Sequence, residues 1–221
     1  MKKWMGAVAA GVVALASASV AHAQVTQEIY GQVGTEGVGI GYGHVLSSMF
    51  NARAEFNGFA LSHSFNAGDL HYDATLTLYH AGLYADFFPA PSVVPFRLTA
   101  GVLIGGDNVD ATAQAMSGTY TINGQTVSAQ GQQIHAKATF PTLRPYIGLG
   151  FGHSPRATRG WGMFFDAGIA YGKPHVDFDV PATIATAAGQ ANVDAEEQDL
   201  RNKVQRYHIY PIVKVGVTYR F

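Results

Sequence analysis

Apolar and mixed positions alternate along the last stretch of the chain, RYHIYPIVKVGVTYRF. Its odd-numbered positions are apolar or aromatic from Tyr207 to Phe221, whereas His208, Lys214 and Arg220 stand among the even-numbered positions. A β-strand turns successive side chains to opposite faces. The stretch therefore predicts a strand with one wholly apolar face and one mixed face.

The same two-residue period recurs in six earlier segments: VGIGYGHVL, MFNARAEFNGF, DATLTLYHAGLYADFF, PFRLTAGVLIG, RPYIGLGFG and WGMFFDAGIAYG. In the third segment the apolar positions change parity after Leu78, which predicts a β-bulge near Tyr79–His80. An eighth strand is predicted at TQEIYGQVG (26–34), before a turn at Thr35–Glu36, because bacterial outer-membrane barrels normally have an even number of strands. HVDFDV (175–180) is the alternative for this strand.

The connections between these strands alternate in length. SSM, PAPSVVP and SPRATRG are short, whereas the segments around 63–72, 107–138 and 173–205 are long and polar. Short turns on one side and long loops on the other are typical of outer-membrane barrels, whose short turns face the periplasm. The pattern predicts an all-β fold, namely an eight-stranded antiparallel transmembrane β-barrel of up-and-down topology with short periplasmic turns and long extracellular loops.

The N-terminus predicts export. Lys2 and Lys3 precede an apolar stretch and then Ala21-His22-Ala23, which together indicate a secretory signal peptide (1–23) cleaved after Ala23. The rest of the chain (24–221) has the length of one domain and no apolar run long enough for a transmembrane helix. The chain has 26 Gly, 11 Tyr and 13 Phe but only 13% charged residues, an unusual composition for a soluble secreted domain.

A soluble β-sandwich or lipocalin-like barrel is the alternative that also shows alternation. Such folds bury the apolar face, and they would not place charged residues opposite it as consistently as this chain does. The sequence therefore favours a monomer in the bacterial outer membrane, surrounded by membrane lipid and lipopolysaccharide. The formal net charge is −1 and no basic stripe is present, so nucleic acid is not expected as a partner. Cys is absent, which excludes a lipid-modified cysteine.

Three segments resemble those of the small OmpA/OmpX/OmpW-like outer-membrane β-barrel proteins. They are the terminal VGVTYRF and the strand–turn–strand units GYGHVLSSMFNARAEFN and LYADFFPAPSVVPFRLTAGV. The resemblance covers most of the chain after the signal peptide and implies the fold and the location. It also implies that Tyr219 and Phe221 form an assembly signal, with the barrel-assembly machinery as the partner. Unlike in OmpA, no peptidoglycan-binding domain is expected after Phe221.

Seven charged residues lie on the predicted inward face of the barrel. An unpaired charge enclosed there is unfavourable by several kcal/mol, so these residues are expected to pair. They predict a lumen plugged by an ion-pair network, and the alternative is a gated channel for ions or small molecules, including hydrophobic ones. Inward glycines at 37–43 and 148–152 leave room for large side chains or for water. The first four of the seven lie near short turns and are expected at one depth. The seven are Arg53, Glu55, Asp86, Arg97, Arg144, Asp166 and Lys214.

The segments assigned to loops contain candidate chemistry of low specificity. His63, His71, His135 and His175 match no metal-site spacing, so they are predicted to be solvated, with neither metal nor cofactor. Lipid A deacylases, also eight-stranded barrels, share a His-x-Ser pair, but here Ser64 follows His63 directly and would point to the opposite face. A lipid A-modifying enzyme is therefore the least favoured function.

Two further segments of these loops have predicted structure. NVDAEEQDLRNKVQRY (192–207) predicts a short helix, which either covers the barrel or binds a partner. GTYTINGQTVSAQG (118–131) predicts a hairpin that turns at Asn123-Gly124. The function expected from the whole sequence is a structural or surface-interacting role rather than catalysis.

Overall fold

The computed structural model describes residues 26–221, so the predicted signal peptide (1–23) lies outside the described residues. The all-β class is confirmed. In chain order the elements of the described residues are β1 (Gln27–Gly34), β2 (Gly37–Val45), β3 (Phe50–Ala67), β4 (Leu70–Phe87), β5 (Phe96–Gly105), β6 (Asn108–Ala115), β7 (Thr119–Ile122), β8 (Gln125–Ser128), β9 (Gln133–Thr139), β10 (Leu143–Phe151), β11 (Gly160–Tyr171), β12 (His175–Asp179), α1 (Ala182–Ala188), α2 (Gln190–Gln205) and β13 (Ile209–Arg220).

Eight of these strands pair in a closed antiparallel ring. The order around the ring is β1-β2-β3-β4-β5-β10-β11-β13, and β13 pairs with β1 to close it. The strand predicted at 26–34 is confirmed as β1, and the chain turns at Thr35–Glu36 as expected. HVDFDV forms β12, which pairs with β9 outside the ring. The connections β2–β3, β4–β5 and β10–β11 lie at one end of the ring, called here the short-turn end; the opposite end is the long-connection end.

Side chains in the ring alternate between an exposed outward face and a buried inward face. Trp161 and Ile40 point outward and are 79% and 73% exposed, whereas Arg97 points inward and is 0% exposed. The two-residue period of the sequence thus separates apolar from charged residues as predicted, with the apolar residues outside. This distribution is the reverse of that in a soluble β-barrel.

Beyond the long-connection end, β3 and β4 continue and form a sheet with three further strands. The order is β3-β4-β6-β9-β12, called here the sheet extension. The segments predicted as long polar loops around 63–72, 107–138 and 173–205 therefore contain the tip of the β3–β4 hairpin and the strands β6, β9 and β12. Their outward face is polar, which is why the sequence suggests solvated loops.

The bulge predicted near Tyr79–His80 is wrong. Strands β3 and β4 keep one register over their whole length, from Phe50 opposite Phe87 to Ala67 opposite Leu70. The apolar residues change parity because the environment of the two faces changes. In the ring the inward face of β4 is polar, and in the sheet extension the same face bears Leu70, Leu76 and Leu78.

A cap covers part of the inner face of the sheet extension. It consists of the β7–β8 hairpin together with α1 and α2. The hairpin turns at Asn123-Gly124, as predicted, with φ angles of 45° and 81° that suit a tight turn. The helix predicted at 192–207 is confirmed as α2, shifted toward the N-terminus by two residues. Neither helix of the described residues is long and apolar enough to cross a membrane.

An apolar core lies between the cap and the sheet extension. Tyr120 and Ile122 of the hairpin, Ile184 of α1 and Val193 of α2 are buried there against Ile134 of β9. The cap is therefore fixed by apolar burial of the kind that stabilises a small domain. The long connections of this chain are folded structure rather than irregular loops.

Candidate functional site

All seven charged residues predicted for the inward face lie buried inside the ring, each with at most 5% of its surface exposed. The structure distributes them over three clusters rather than one. Six further ionisable residues that the sequence analysis did not assign are buried with them: Glu28, Glu36, His80, Asp107, His153 and Arg220. Together the residues form four groups inside the ring, which are distributed between its short-turn end and its long-connection end.

The first group contains Arg53, Asp86, Arg97 and Asp166. Arg53 donates to both oxygens of Asp86, at 2.5 and 3.0 Å, and its Nη1 lies 3.4 Å from Asp166 Oδ2. Arg97 pairs with Asp166, and its Nε lies 3.4 Å from Asp86 Oδ1. Thr99 donates a 2.6 Å hydrogen bond to Asp86. The two guanidinium groups and two carboxylates thus neutralise one another.

The second group is built around Glu55 and Lys214. Lys214 Nζ lies 2.6 Å from Glu55 Oε1, and Asn57 and Tyr84 also donate to this carboxylate at 2.8 and 3.0 Å. The ammonium group lies 4.8 Å from the centre of the Tyr84 ring, within the range of a cation–π interaction. Of the four residues that were expected at one depth, Glu55 alone belongs to a different cluster, because it pairs with Lys214 rather than with the arginines.

The third group lies at the long-connection end. His80 Nε2 lies 2.8 Å from Glu36, and its Nδ1 lies 3.1 Å from Asp107. Each ring nitrogen thus faces a carboxylate oxygen, an arrangement that favours the protonated imidazole. Arg144 pairs with Asp107 at 2.5 Å. Burial alone would raise the pKa of Asp107, but hydrogen bonding to His80 and the charge of Arg144 lower it.

The fourth group lies at the short-turn end. Arg220 Nη2 pairs with Glu28 at 2.9 Å, and Thr218 donates to the same carboxylate at 3.1 Å. His153, in the connection between β10 and β11, also hydrogen-bonds Glu28. Burial lowers the pKa of His153 to about 4, so the imidazole is neutral near pH 7. Arg220 donates in addition to the backbone carbonyl of Ser154, which ties the last strand to this connection.

Six buried ionisable residues were not assigned from the sequence, and they differ in how clearly the alternating pattern indicates an inward position. Arg220 stands on the mixed face of the last strand, so strand parity alone would have identified it. Glu28 belongs to the most weakly alternating strand. The other four lie in turns, in segments assigned to loops or at the supposed bulge, where a solvated position was assumed: Glu36, His80, Asp107 and His153.

Large aromatic side chains fill the space between these groups. Tyr30, Tyr84 and Tyr146 point inward, and each is at most 5% exposed. They lie over glycines of the ring: a Cβ atom on Gly41 would overlap the Tyr30 ring, and one on Gly148 would overlap the Tyr146 hydroxyl. The inward glycines therefore accommodate side chains from within the ring.

Replacing Gly41 by alanine is expected to lower the free energy of unfolding by about 1–3 kcal/mol, because the added methyl group displaces Tyr30. The matched control is Gly58→Ala, since no atom lies within 4 Å of a Cβ atom there. It should change stability by no more than about 0.5 kcal/mol. Urea titration of both variants in lipid vesicles measures the difference, and equal effects would show that Gly41 is not a packing position.

The serine and histidine of SHSFN do not form a catalytic pair. His63 and Ser64 are adjacent in the continuous strand β3 and point to opposite faces, as the sequence predicts. The Ser64 hydroxyl donates instead to Asp73 at 2.5 Å. His63 is therefore not placed to activate this serine as a nucleophile.

The histidines assigned to loops are dispersed over the sheet extension. His71 contacts Asn66, His135 contacts Thr112 and His175 contacts Asp177. Over residues 26–221, no group of three or more His, Asp or Glu side chains is arranged to hold a metal ion.

Among solved structures, two proteins of Acinetobacter baumannii have a similar fold. CarO aligns with a TM-score of 0.56 at 20% sequence identity, over 88% of this chain and 97% of CarO. CarO2 aligns with a TM-score of 0.56 at 21% identity, over 89% of this chain and 98% of CarO2. No protein-family model and no curated protein sequence matches the chain. The similarity is one of fold, and it extends over nearly the whole of each chain.

Proposed function

We propose that the chain is an integral outer-membrane β-barrel protein whose lumen is closed by ion pairs and which presents a folded cap at the cell surface. The observation that carries this proposal is the apolar belt around the ring. Side chains such as Ile40, Ile147, Trp161 and Met163 are between 63% and 79% exposed. A contiguous apolar surface of this kind is unfavourable in water and is stable in lipid.

The dimensions and the aromatic residues of the ring also fit a bilayer. Strands β5, β10, β11 and β13 have 9–12 residues. A tilted strand needs roughly 9–11 residues to cross the hydrocarbon core. Aromatic pairs surround the short-turn end, as expected for an interfacial girdle. They are Phe50–Phe87, Phe96–Phe151 and Trp161–Tyr219.

The polarity of the sheet extension supports an orientation with the cap outside the cell. Its outward face bears polar residues such as Ser62, Ser64, Asp73 and Asp110, which follow the apolar belt directly. This face stands in water, and the membrane ends where the polarity changes. Short turns face the periplasm in such barrels, so the cap faces the exterior, in contact with lipopolysaccharide.

The terminal strand is the part of the chain that we propose to be recognised during assembly. Tyr219 and Phe221 are outward, and Tyr219 packs against Trp161 with 5.2 Å between ring centres. The aromatic residues at the end of β13 are thus available to the barrel-assembly machinery before the ring closes on β1. Outer-membrane lipid then surrounds the folded protein, which is a monomer of the small OmpA/OmpX/OmpW-like type.

The role that we propose for the interior is a plug, because every buried charge has a partner and aromatic rings occupy the spaces between. The test is single-channel recording of the purified full-length protein in a planar bilayer. The expected result is no conductance from protein whose folding is shown by a heat-dependent shift in gel mobility. Steady, reproducible openings of the folded protein would contradict the plug.

A channel for ions or small molecules is the second candidate function. One observation favours it: a cavity of about 520 Å³ at the short-turn end reaches inward to Glu28, His153 and Arg220. Charged side chains that line a pore select the ions that pass through it. If the recordings show openings, substitution of Arg220 should change their ion selectivity, since this charge borders the cavity.

A further inference from the structure

We propose that the cap and the sheet extension form a binding site for a small apolar amine. Between them lies a cavity of about 300 Å³, bordered by β4, β6, β9 and β12 on one side and by the β7–β8 hairpin and α2 on the other. The cavity lies outside the ring. The proposal is therefore independent of whether the lumen is a plug or a channel.

Small side chains on the inner face of the sheet extension create the space. Ala111, Ala113 and Ala136 line the cavity, and Tyr72 and Phe178 form walls beside them. An alanine leaves unfilled the volume that a leucine or isoleucine would occupy in a core. The interior of the cavity is thus apolar, with aromatic surfaces against which a ring can pack.

The cap does not collapse into this space because the hairpin is held at its edge. The Tyr120 hydroxyl lies within hydrogen-bonding distance of the backbone carbonyls of Ala113 and Gln132, at 2.9 and 2.7 Å. Ile122 next to it is buried in the core between the cap and the sheet extension. The cavity is therefore formed in the absence of a ligand, which lowers the entropic penalty of binding.

One carboxylate borders this apolar cavity. Val193 and Leu200 mark the apolar side of α2, and Glu196 lies between them, one helical turn from each, so it stands where an apolar residue would complete the core. Its Oε2 accepts a 2.8 Å hydrogen bond from the backbone N–H of Asn123. Within residues 26–221 its Oε1 makes no hydrogen bond. A half-buried carboxylate beside apolar walls fits the ammonium group of a ligand.

The size of the cavity limits the ligand to one ring with a short side chain, because about 300 Å³ is the lower limit for ligand pockets. A peptide segment or a lipid chain would not fit. Tyr72, which forms one wall, stacks on Phe65 with 5.3 Å between ring centres and 13° between planes. The exposed Phe65 extends this aromatic surface outward, so a flat ring can approach along it.

The test uses 2-phenylethylamine as the probe, with the full-length protein in lipid nanodiscs and ligand-observed NMR as the readout. Ala113→Leu fills the cavity and serves as the reference that subtracts partitioning into lipid. The expected result is saturable binding to the wild type that exceeds this reference. 3-Phenylpropanoate, of similar size but opposite charge, should bind at least about tenfold more weakly.

Glu196→Gln tests the carboxylate without disturbing the core, because this side chain is at the rim. It should weaken binding of the amine about fivefold and leave binding of the neutral 2-phenylethanol unchanged. Asp194→Asn, on another face of α2, is the matched control and should leave both unchanged. The proposal would be overturned if the wild type showed no saturable binding of the amine. It would also be overturned if the wild type and Glu196→Gln bound the amine equally well.

Discussion

Replacement of Asp86 by alanine is expected to lower the free energy of unfolding by about 3–5 kcal/mol. Asp86 is 0% exposed and accepts hydrogen bonds from Arg53 and Thr99. Its removal leaves the guanidinium groups of Arg53 and Arg97 with only Asp166 to balance them, in an interior where charge is poorly solvated. Urea titration in lipid vesicles, followed by the fluorescence of Trp161, measures the change.

The matched control for this variant is Asp110→Ala in the sheet extension. Asp110 pairs with Lys137 at 3.3 Å, and both side chains are about half exposed. An exposed pair of this kind contributes less than about 1 kcal/mol. If Asp86→Ala were no more destabilising than Asp110→Ala, the buried charges would be solvated by water in an open lumen, and the plug would be excluded.

The inward or outward direction of side chains in the ring could be predicted from the sequence because it depends only on strand parity. Strand parity alone assigns Arg53, Asp86 and Lys214 to the inward face. The partner of each charge could not be predicted. Glu55 pairs with Lys214 rather than with a neighbouring arginine because the pairing depends on the stagger between distant strands, which no local pattern contains.

The sheet extension could not be predicted because the inward face of a strand is polar within the ring and apolar beyond it. In β4 the inward face is polar at Asp86 and apolar at Leu76, although the strand is continuous. A pattern analysis that assumes one environment along the strand interprets this change as a bulge. The same assumption placed His80 and Asp107 in irregular segments, and their role in the third group of charges was missed.

Removal of the whole first group of charges is expected to open the lumen. The variant carries Arg53→Ser, Asp86→Ser, Arg97→Ser and Asp166→Ser, so two positive and two negative groups are lost together and no charge of the group is left without its counterion. Its free energy of unfolding should therefore fall by less than the sum of the four single replacements, because residues of one ion-pair network are not additive in their effects.

The expected result in a planar bilayer is a change from a silent wild type to discrete openings in the quadruple variant, because serine side chains leave space that water can fill. Asp110→Ser with Lys137→Ser is the charge-neutral control and should stay silent, since this pair lies outside the ring. A folded quadruple variant that is also silent would place the closure elsewhere. The layer formed by Tyr30, Tyr84 and Tyr146 over the inward glycines would then be the barrier, and the ion pairs would serve to position it.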